Sequence, residues 1–149
     1  MDPGERLALL CCCLFFLVGL LTGVWKFVGT ISSPEGRAYR YVDVLHRAAL
    51  MYSFACLVMA RLCALSPLGA SLETAAVISL VAFFTLAQLT YGLHGVLKDT
   101  DNQLRAPFRL GAAALPRVVV VGFMVCLIVG EVGGFSVLAF GAVRGLGYW

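Results

Sequence analysis

The chain has 149 residues, of which 61% are hydrophobic and only 13% are charged, and its formal net charge at pH 7 is +3. Soluble domains usually carry about 25% charged residues and no more than about half apolar ones. The hydrophobic core of one small domain cannot bury so many apolar residues, and the rest must face lipid. The composition therefore predicts an integral membrane protein and excludes a soluble enzyme, a secreted disulfide scaffold, a disordered chain and a nucleic-acid binder.

Four apolar runs are long enough to cross a hydrocarbon core, which needs roughly 20 helical residues. They cover about residues 7–28, 42–65, 72–97 and 118–143. Helices are required because an open sheet edge could not satisfy its backbone groups in lipid. We expect an all-α fold, a single four-helix transmembrane bundle over residues 1–149.

The positive charges predict the orientation of the bundle. The side with both termini and the short turn at residues 66–71 carries three of them: Arg6, Arg61 and Arg144. The opposite side carries eight: Lys26, Arg37, Arg40, Arg47, Lys98, Arg105, Arg109 and Arg117. The positive-inside rule then places the two longer loops in the cytoplasm and both termini outside, in a cell inner (plasma) membrane.

Glycines recur at four-residue spacing in two of the predicted helices. Gly19 and Gly23 form such a pair in the first, and Gly130 and Gly134 form another in the fourth, where Gly141 and Gly145 follow. Small residues at this spacing let membrane helices approach closely. We expect tight crossings at these positions, either inside one chain or between protomers.

Two histidines are the first candidate functional residues, because polar groups inside a membrane are costly. His46 lies about one turn into the second helix and His94 about one turn before the end of the third. The alternating topology puts both at similar depth on the loop side. Ser53 shares the helix face of His46, and Tyr52 lies about a third of a turn away.

Polar residues also form a stripe on the third helix at three-residue spacing: Thr85, Gln88, Tyr91 and His94. Such a stripe can be part of a site, or it can hold helices together through hydrogen bonds. Glu131, near the middle of the fourth span, is expected to be neutral or paired with a donor such as Arg61 or Gln88. The segment 98–103 is interpreted as a solvated helix end.

Two short stretches resemble known membrane proteins. Residues 16–23, FLVGLLTG, resemble the first span of the hydroxylaminobenzene mutases. Residues 33–36, SPEG, followed by a histidine at the start of the second span, resemble styrene oxide isomerase. Both families are small four-span bacterial membrane proteins.

The resemblance implies that haem b is bound with His46 as the iron ligand and that Tyr91 helps to hold an epoxide. It further implies a homo-oligomer such as a trimer, with the cofactor at subunit contacts. The chain departs from the isomerase at Tyr52, which stands where the isomerase has an asparagine. Tyr52 or Ser53 would then take over the role of that asparagine.

Three functions follow from these residues. The first is a haem-dependent isomerase that takes a small apolar epoxide from the lipid, with Tyr91, Tyr52 and Ser53 at the substrate. The second is a b-type cytochrome or membrane anchor with His46 and His94 as two axial ligands, near Gln88. The third is a cofactor-free assembly subunit, in which the polar stripe serves only for packing.

Overall fold

Four long helices account for most of the computed structural model, which describes residues 1–148. They are α1 (Pro3–Ile31), α2 (Arg40–Leu65), α3 (Ala70–Leu97) and α4 (Arg117–Gly145). Each is long and apolar enough to cross a membrane. The predicted all-α architecture with four helices able to cross a membrane is therefore confirmed, and each predicted span lies within one of these helices.

Local signals explain where two of the helices begin and end. Asp2 caps α1, because its carboxylate accepts a hydrogen bond of 2.7 Å from the backbone N–H of Gly4, and Pro3 suits the first turn, which needs no N–H donor. Lys98 ends α3 in a left-handed conformation, with φ 50° and ψ 38°. Its backbone N–H closes the last turn on the carbonyl of His94. The left-handed residue turns the chain sharply away from the helix axis.

The helices form a rhombus in cross-section. α1 packs along α2 over much of its length, α4 packs on both α3 and α2, and α1 also touches α3. The α2–α3 pair therefore occupies the short diagonal and separates α1 from α4. Residues at this diagonal have protein on several sides, whereas the outer faces of α1 and α4 are apolar and exposed.

The glycine pairs lie at crossings inside the chain. An added Cβ at Gly19 would collide with the Leu50 side chain of α2, and one at Gly134 would lie 3.1 Å from the backbone oxygen of Ala76 in α3. The third pair packs against the turn between α2 and α3. Of the two arrangements expected from the sequence, the structure has the crossings within one protomer.

The two ends of the bundle differ in character. The hydrophobic core occupies the half that contains the termini and the α2–α3 turn. Its members are Ala8, Cys11, Phe15, Cys56, Met59, Ala60, Cys63, Ala76, Val77, Leu80, Phe84 and Leu138. The candidate site residues lie mainly in the other half, toward the two longer loops, where the packing is more polar.

The connection between α3 and α4 contains a short antiparallel hairpin. Its strands are β1 (Arg109–Leu110) and β2 (Ala113–Ala114), joined through Gly111 with a φ of 60°. The sequence predicts only a loop here. The hairpin folds back over the ends of α3 and α4, so that it covers part of the bundle.

Candidate functional site

His46 lies in the crossing between α1 and α2. Its ring nitrogen Nδ1 is 2.9 Å from the backbone carbonyl oxygen of Gly19. A carbonyl only accepts hydrogen bonds, so Nδ1 carries the proton and the lone pair of the neutral ring is on Nε2. An added Cβ at Gly23 would be 3.0 Å from the ring carbon Cε1. Gly19 orients the ring, and Gly23 leaves room for it.

An ion-pair cluster marks the loop side of this crossing. Asp43, one turn before His46, lies 2.6 Å from Lys26 Nζ and 2.9 Å from the guanidinium of Arg47. Lys26 belongs to the last part of α1, so the pair joins the end of α1 to the start of α2. Charged side chains of this kind belong at the membrane boundary. His46 is therefore within about a turn of the water interface.

The two predicted catalytic tyrosines are brought together by the α2–α3 contact. The Tyr52 ring stacks on Phe84, with 4.2 Å between centroids and 5° between planes. Its hydroxyl lies beside the hydroxyl of Tyr91. Ser53 is buried, and its hydroxyl donates a 2.7 Å hydrogen bond to the Leu50 carbonyl of its own helix.

The same contact does not bring these tyrosines to His46. Tyr52 follows His46 by six residues, which places the two side chains about 120° apart around the α2 axis. His46 faces α1, whereas Tyr52 faces α3. Within one chain, the expected iron ligand and the expected substrate tyrosines therefore lie on different faces of α2.

Gln88 lies apart from both His46 and the tyrosine pair. Its side chain is 6% exposed and lines a groove of about 480 Å³ between α1, α2 and α3, together with Phe15 and Leu45. The amide nitrogen Nε2 has no hydrogen-bond partner among residues 1–148. The polar stripe of α3 is thus divided between this groove and the contact with α2.

Glu131 stands on α4 beside the tyrosine pair. Both Tyr52 and Tyr91 lie within electrostatic range of its carboxyl group. The Glu131 oxygen Oε1 is buried and lacks a hydrogen-bond partner within the described part of the chain. The sequence suggested Arg61 or Gln88 as partners, whereas the structure brings Tyr52 and Tyr91 within electrostatic range of this carboxyl group.

His94 forms a buried pair with Asp99. The His94 ring nitrogen Nδ1 is 2.7 Å from the Asp99 oxygen Oδ1, and the two side chains are only 3% and 6% exposed. The second Asp99 oxygen accepts a hydrogen bond from the Gly111 backbone N–H in the hairpin. The interpretation of residues 98–103 as a solvated helix end is wrong for Asp99, because the turn at Lys98 returns this side chain to the bundle.

The charge state of Asp99 determines which nitrogen of His94 carries a proton. Burial raises the pKa of Asp99, but the hydrogen bonds from His94 and Gly111 outweigh burial and hold this pKa below its usual value. Asp99 is then a carboxylate at neutral pH and can only accept hydrogen bonds. Nδ1 of His94 must therefore be the donor, which leaves Nε2 free on the other side of the ring.

Tyr41 connects His94 to the tyrosine pair and was not among the predicted site residues. Its ring centroid is 5.0 Å from that of His94 and 6.2 Å from that of Tyr91. Its hydroxyl accepts a 2.6 Å hydrogen bond from the Gln103 backbone N–H. The only sequence signal was a tyrosine at the loop-side start of an apolar span, which is the usual place for an interfacial aromatic residue.

Residues 1–148 contain no group of three or more His, Cys, Asp or Glu side chains arranged to hold a metal ion. A haem needs fewer protein ligands than a bare ion, because the porphyrin supplies four nitrogens. Comparison with protein-family models, curated proteins and solved structures gives no match.

Proposed function

We propose that this chain is the subunit of a haem b-dependent membrane isomerase, which rearranges an apolar aryl epoxide to an aldehyde or ketone. The observation that carries the proposal is the 2.9 Å contact between His46 Nδ1 and the Gly19 carbonyl oxygen. It leaves the Nε2 lone pair available as a ligand. Metal-binding histidines characteristically donate their other N–H to a carbonyl or carboxylate in this way.

The residues around His46 fit a haem ligand. The ring is held on one side by α1, where the Gly19 carbonyl accepts its hydrogen bond and Gly23 leaves room for it. The side chain is half-buried, so that it reaches the surface of the α1–α2 pair. When bound there, ferric haem supplies a Lewis acid for the oxygen of an epoxide.

The protein residues orient the substrate in the proposed reaction. One C–O bond of the epoxide breaks, a neighbouring hydrogen or carbon group migrates with its electron pair, and the C=O double bond forms, with no net oxidation or reduction. The hydroxyls of Tyr91 and Tyr52 donate hydrogen bonds to the substrate oxygen. The apolar surroundings exclude water from the electron-deficient carbon.

The separation of His46 from the tyrosines supports an oligomer. In one chain these groups lie on different faces of α2. A site that uses both must therefore combine His46 of one protomer with the tyrosines of another. We propose a homo-oligomer such as a trimer, held together by the exposed apolar faces of the outer helices.

We also propose a bacterial inner membrane as the location, with both termini outside. The eight positive charges on the long-loop side against three on the other support this orientation. A cysteine placed at Ser33 in a cysteine-free variant tests it. Labelling of this cysteine by a membrane-impermeant maleimide only after the cells are opened is expected, whereas labelling of intact cells would reverse the orientation.

An absorption spectrum tests the cofactor proposal. The detergent-purified protein is measured oxidised, reduced, and reduced with carbon monoxide. His46→Ala is the test variant, and His94→Ala is the matched control. We expect a Soret band that is lost only in His46→Ala and a reduced spectrum that changes with carbon monoxide.

Other spectra would contradict the isomerase. Low-spin haem bands that do not change when carbon monoxide is added, and that disappear in both variants, would identify the b-type cytochrome with His46 and His94 as ligands. The absence of a Soret band after expression with added haem would exclude both haem functions. The cofactor-free assembly subunit would then remain.

A further inference from the structure

A cavity of about 330 Å³ lies between α3, α4 and the connection that includes the hairpin. Its walls are almost entirely apolar and include Leu89, Leu93, Phe108 and Phe123. The volume falls in the range of small-molecule sites, about 300–1,000 Å³. It is separate from His46, which lies in the α1–α2 crossing on the far side of α2.

The polar side chains in the wall of this cavity are Thr90, His94, Gln103 and Arg109; of these only His94 is buried, and Arg109 is exposed at the loop end. Only 3% of the His94 side chain is exposed, and its Nδ1 is occupied by the Asp99 carboxylate. Nε2 therefore remains as a hydrogen-bond acceptor in the neutral ring. Gln103 belongs to the same wall, and its oxygen Oε1 is buried without a hydrogen-bond partner in the described chain.

These groups define the chemistry of a ligand. The Gln103 oxygen is a buried acceptor without a donor, which costs about 1–3 kcal/mol, and Nε2 of the neutral His94 ring offers a second acceptor in the same wall. A molecule that brings a donor therefore suits this cavity. A carboxylate or a ketone has no such donor. A hydroxyl group on an apolar ring or chain can donate to such an acceptor, and the apolar part of the molecule packs against the walls of the cavity.

We propose that this cavity binds an apolar phenol or alcohol from the membrane, whose hydroxyl donates a hydrogen bond to His94 Nε2. The Asp99 carboxylate keeps His94 in the required tautomer, and the Gly111 N–H holds Asp99 in place. The hairpin covers the loop end of the cavity, and α3 and α4 form its sides. The site is independent of haem and of the isomerase proposed above.

Photolabelling of the full chain in lipid nanodiscs tests this proposal. The probe is a 4-alkylphenol with a diazirine in its alkyl chain, and labelled residues are mapped by mass spectrometry. We expect saturable labelling of residues 86–93 and 119–124. Unlabelled 4-hexylphenol should compete with the probe, whereas 4-hexylanisole and 4-hexylbenzoate, which lack a hydroxyl donor, should compete at least about tenfold more weakly, the equivalent of one neutral hydrogen bond.

Two variants distinguish specific binding in the cavity from non-specific labelling of a lipid-facing crevice. His94→Phe keeps an aromatic ring but removes Nε2, so the affinity for 4-hexylphenol should fall about tenfold or more. Met124→Trp fills the cavity from α4 and should abolish labelling, because Met124 lines it. Its matched control is Val125→Trp at the next, outward-facing position, which is 53% exposed and should leave labelling unchanged.

Several outcomes would overturn the proposal. Equal competition by the phenol and the anisole would show a purely apolar crevice filled by lipid chains. Stronger competition by the benzoate would show an anion site. Labelling spread over the whole lipid-facing surface, or labelling that persists unchanged in both His94→Phe and Met124→Trp, would show that the cavity does not bind the phenol.

Discussion

The ring nitrogen Nδ1 of His94 and the carboxylate oxygen Oδ1 of Asp99 lie 2.7 Å apart across the end of α3. The residue that makes this contact possible is Lys98, whose left-handed conformation reverses the chain direction. A histidine and an aspartate five residues apart would not meet on a continuous helix, where neighbours are three or four residues apart. The pair therefore depends on where α3 ends.

This pair should make stability depend on pH in a defined direction. The folded-state pKa of Asp99 is below its ordinary value of 3.8. A lowered carboxyl pKa contributes stability that is present above about pH 4 and is lost as the pH falls through the folded-state value. We expect the unfolding temperature in detergent, followed by circular dichroism, to drop as the pH falls from about 4 through the folded-state pKa, and to drop less in Asp99→Asn. Equal drops would contradict the assignment.

The conformation of Lys98 can be tested by substitution. Left-handed backbone costs an ordinary residue roughly 1–2 kcal/mol, and a β-branched residue more. Lys98→Val should therefore destabilise the protein by about 1 kcal/mol, whereas Lys98→Gly should be neutral or stabilise it by about 0.5 kcal/mol. Lys98→Asn controls for the lost charge, since asparagine tolerates this conformation. Equal losses in all three variants would point to the charge instead.

Two adjacent glycines on α4 should differ in how strongly a large side chain destabilises the protein. Gly134 packs against the Ala76 carbonyl and Leu80 of α3, but Gly133 has open space around it. Gly134→Leu should destabilise the protein by about 1–3 kcal/mol, the usual cost of overpacking. Gly133→Leu should change stability by less than about 0.5 kcal/mol. Unfolding in sodium dodecyl sulfate titrations measures both, and equal losses would argue against the α3–α4 crossing.

Substitution of Tyr91 tests its proposed contact with the substrate. Tyr91→Phe removes only the hydroxyl beside Tyr52, so haem content should remain near wild type while turnover of an aryl epoxide falls roughly tenfold, or about 1.4 kcal/mol in activation free energy. Tyr148→Phe is the control, because Tyr148 is 76% exposed and lies beyond α4. Loss of haem in Tyr91→Phe would contradict a role confined to the substrate.

The sequence alone predicted a membrane environment for this chain and the number of helices long enough to span it. Whether a segment can cross a membrane depends on its own length and apolarity, and the four runs therefore match α1 to α4. The glycine spacing similarly located the tight crossings, because close approach requires small residues at fixed intervals on one helix face. These are local properties, and they can be read from neighbouring residues.

Only the tertiary structure decided which groups face one another. His46 and His94 have similar positions in their spans, yet the ring of one contacts the Gly19 carbonyl and the ring of the other contacts Asp99. The partners depend on how each helix is rotated about its axis and on the turn that follows it. Both result from packing between segments distant in sequence, so hydropathy and spacing could predict the depth of the histidines but not their surroundings.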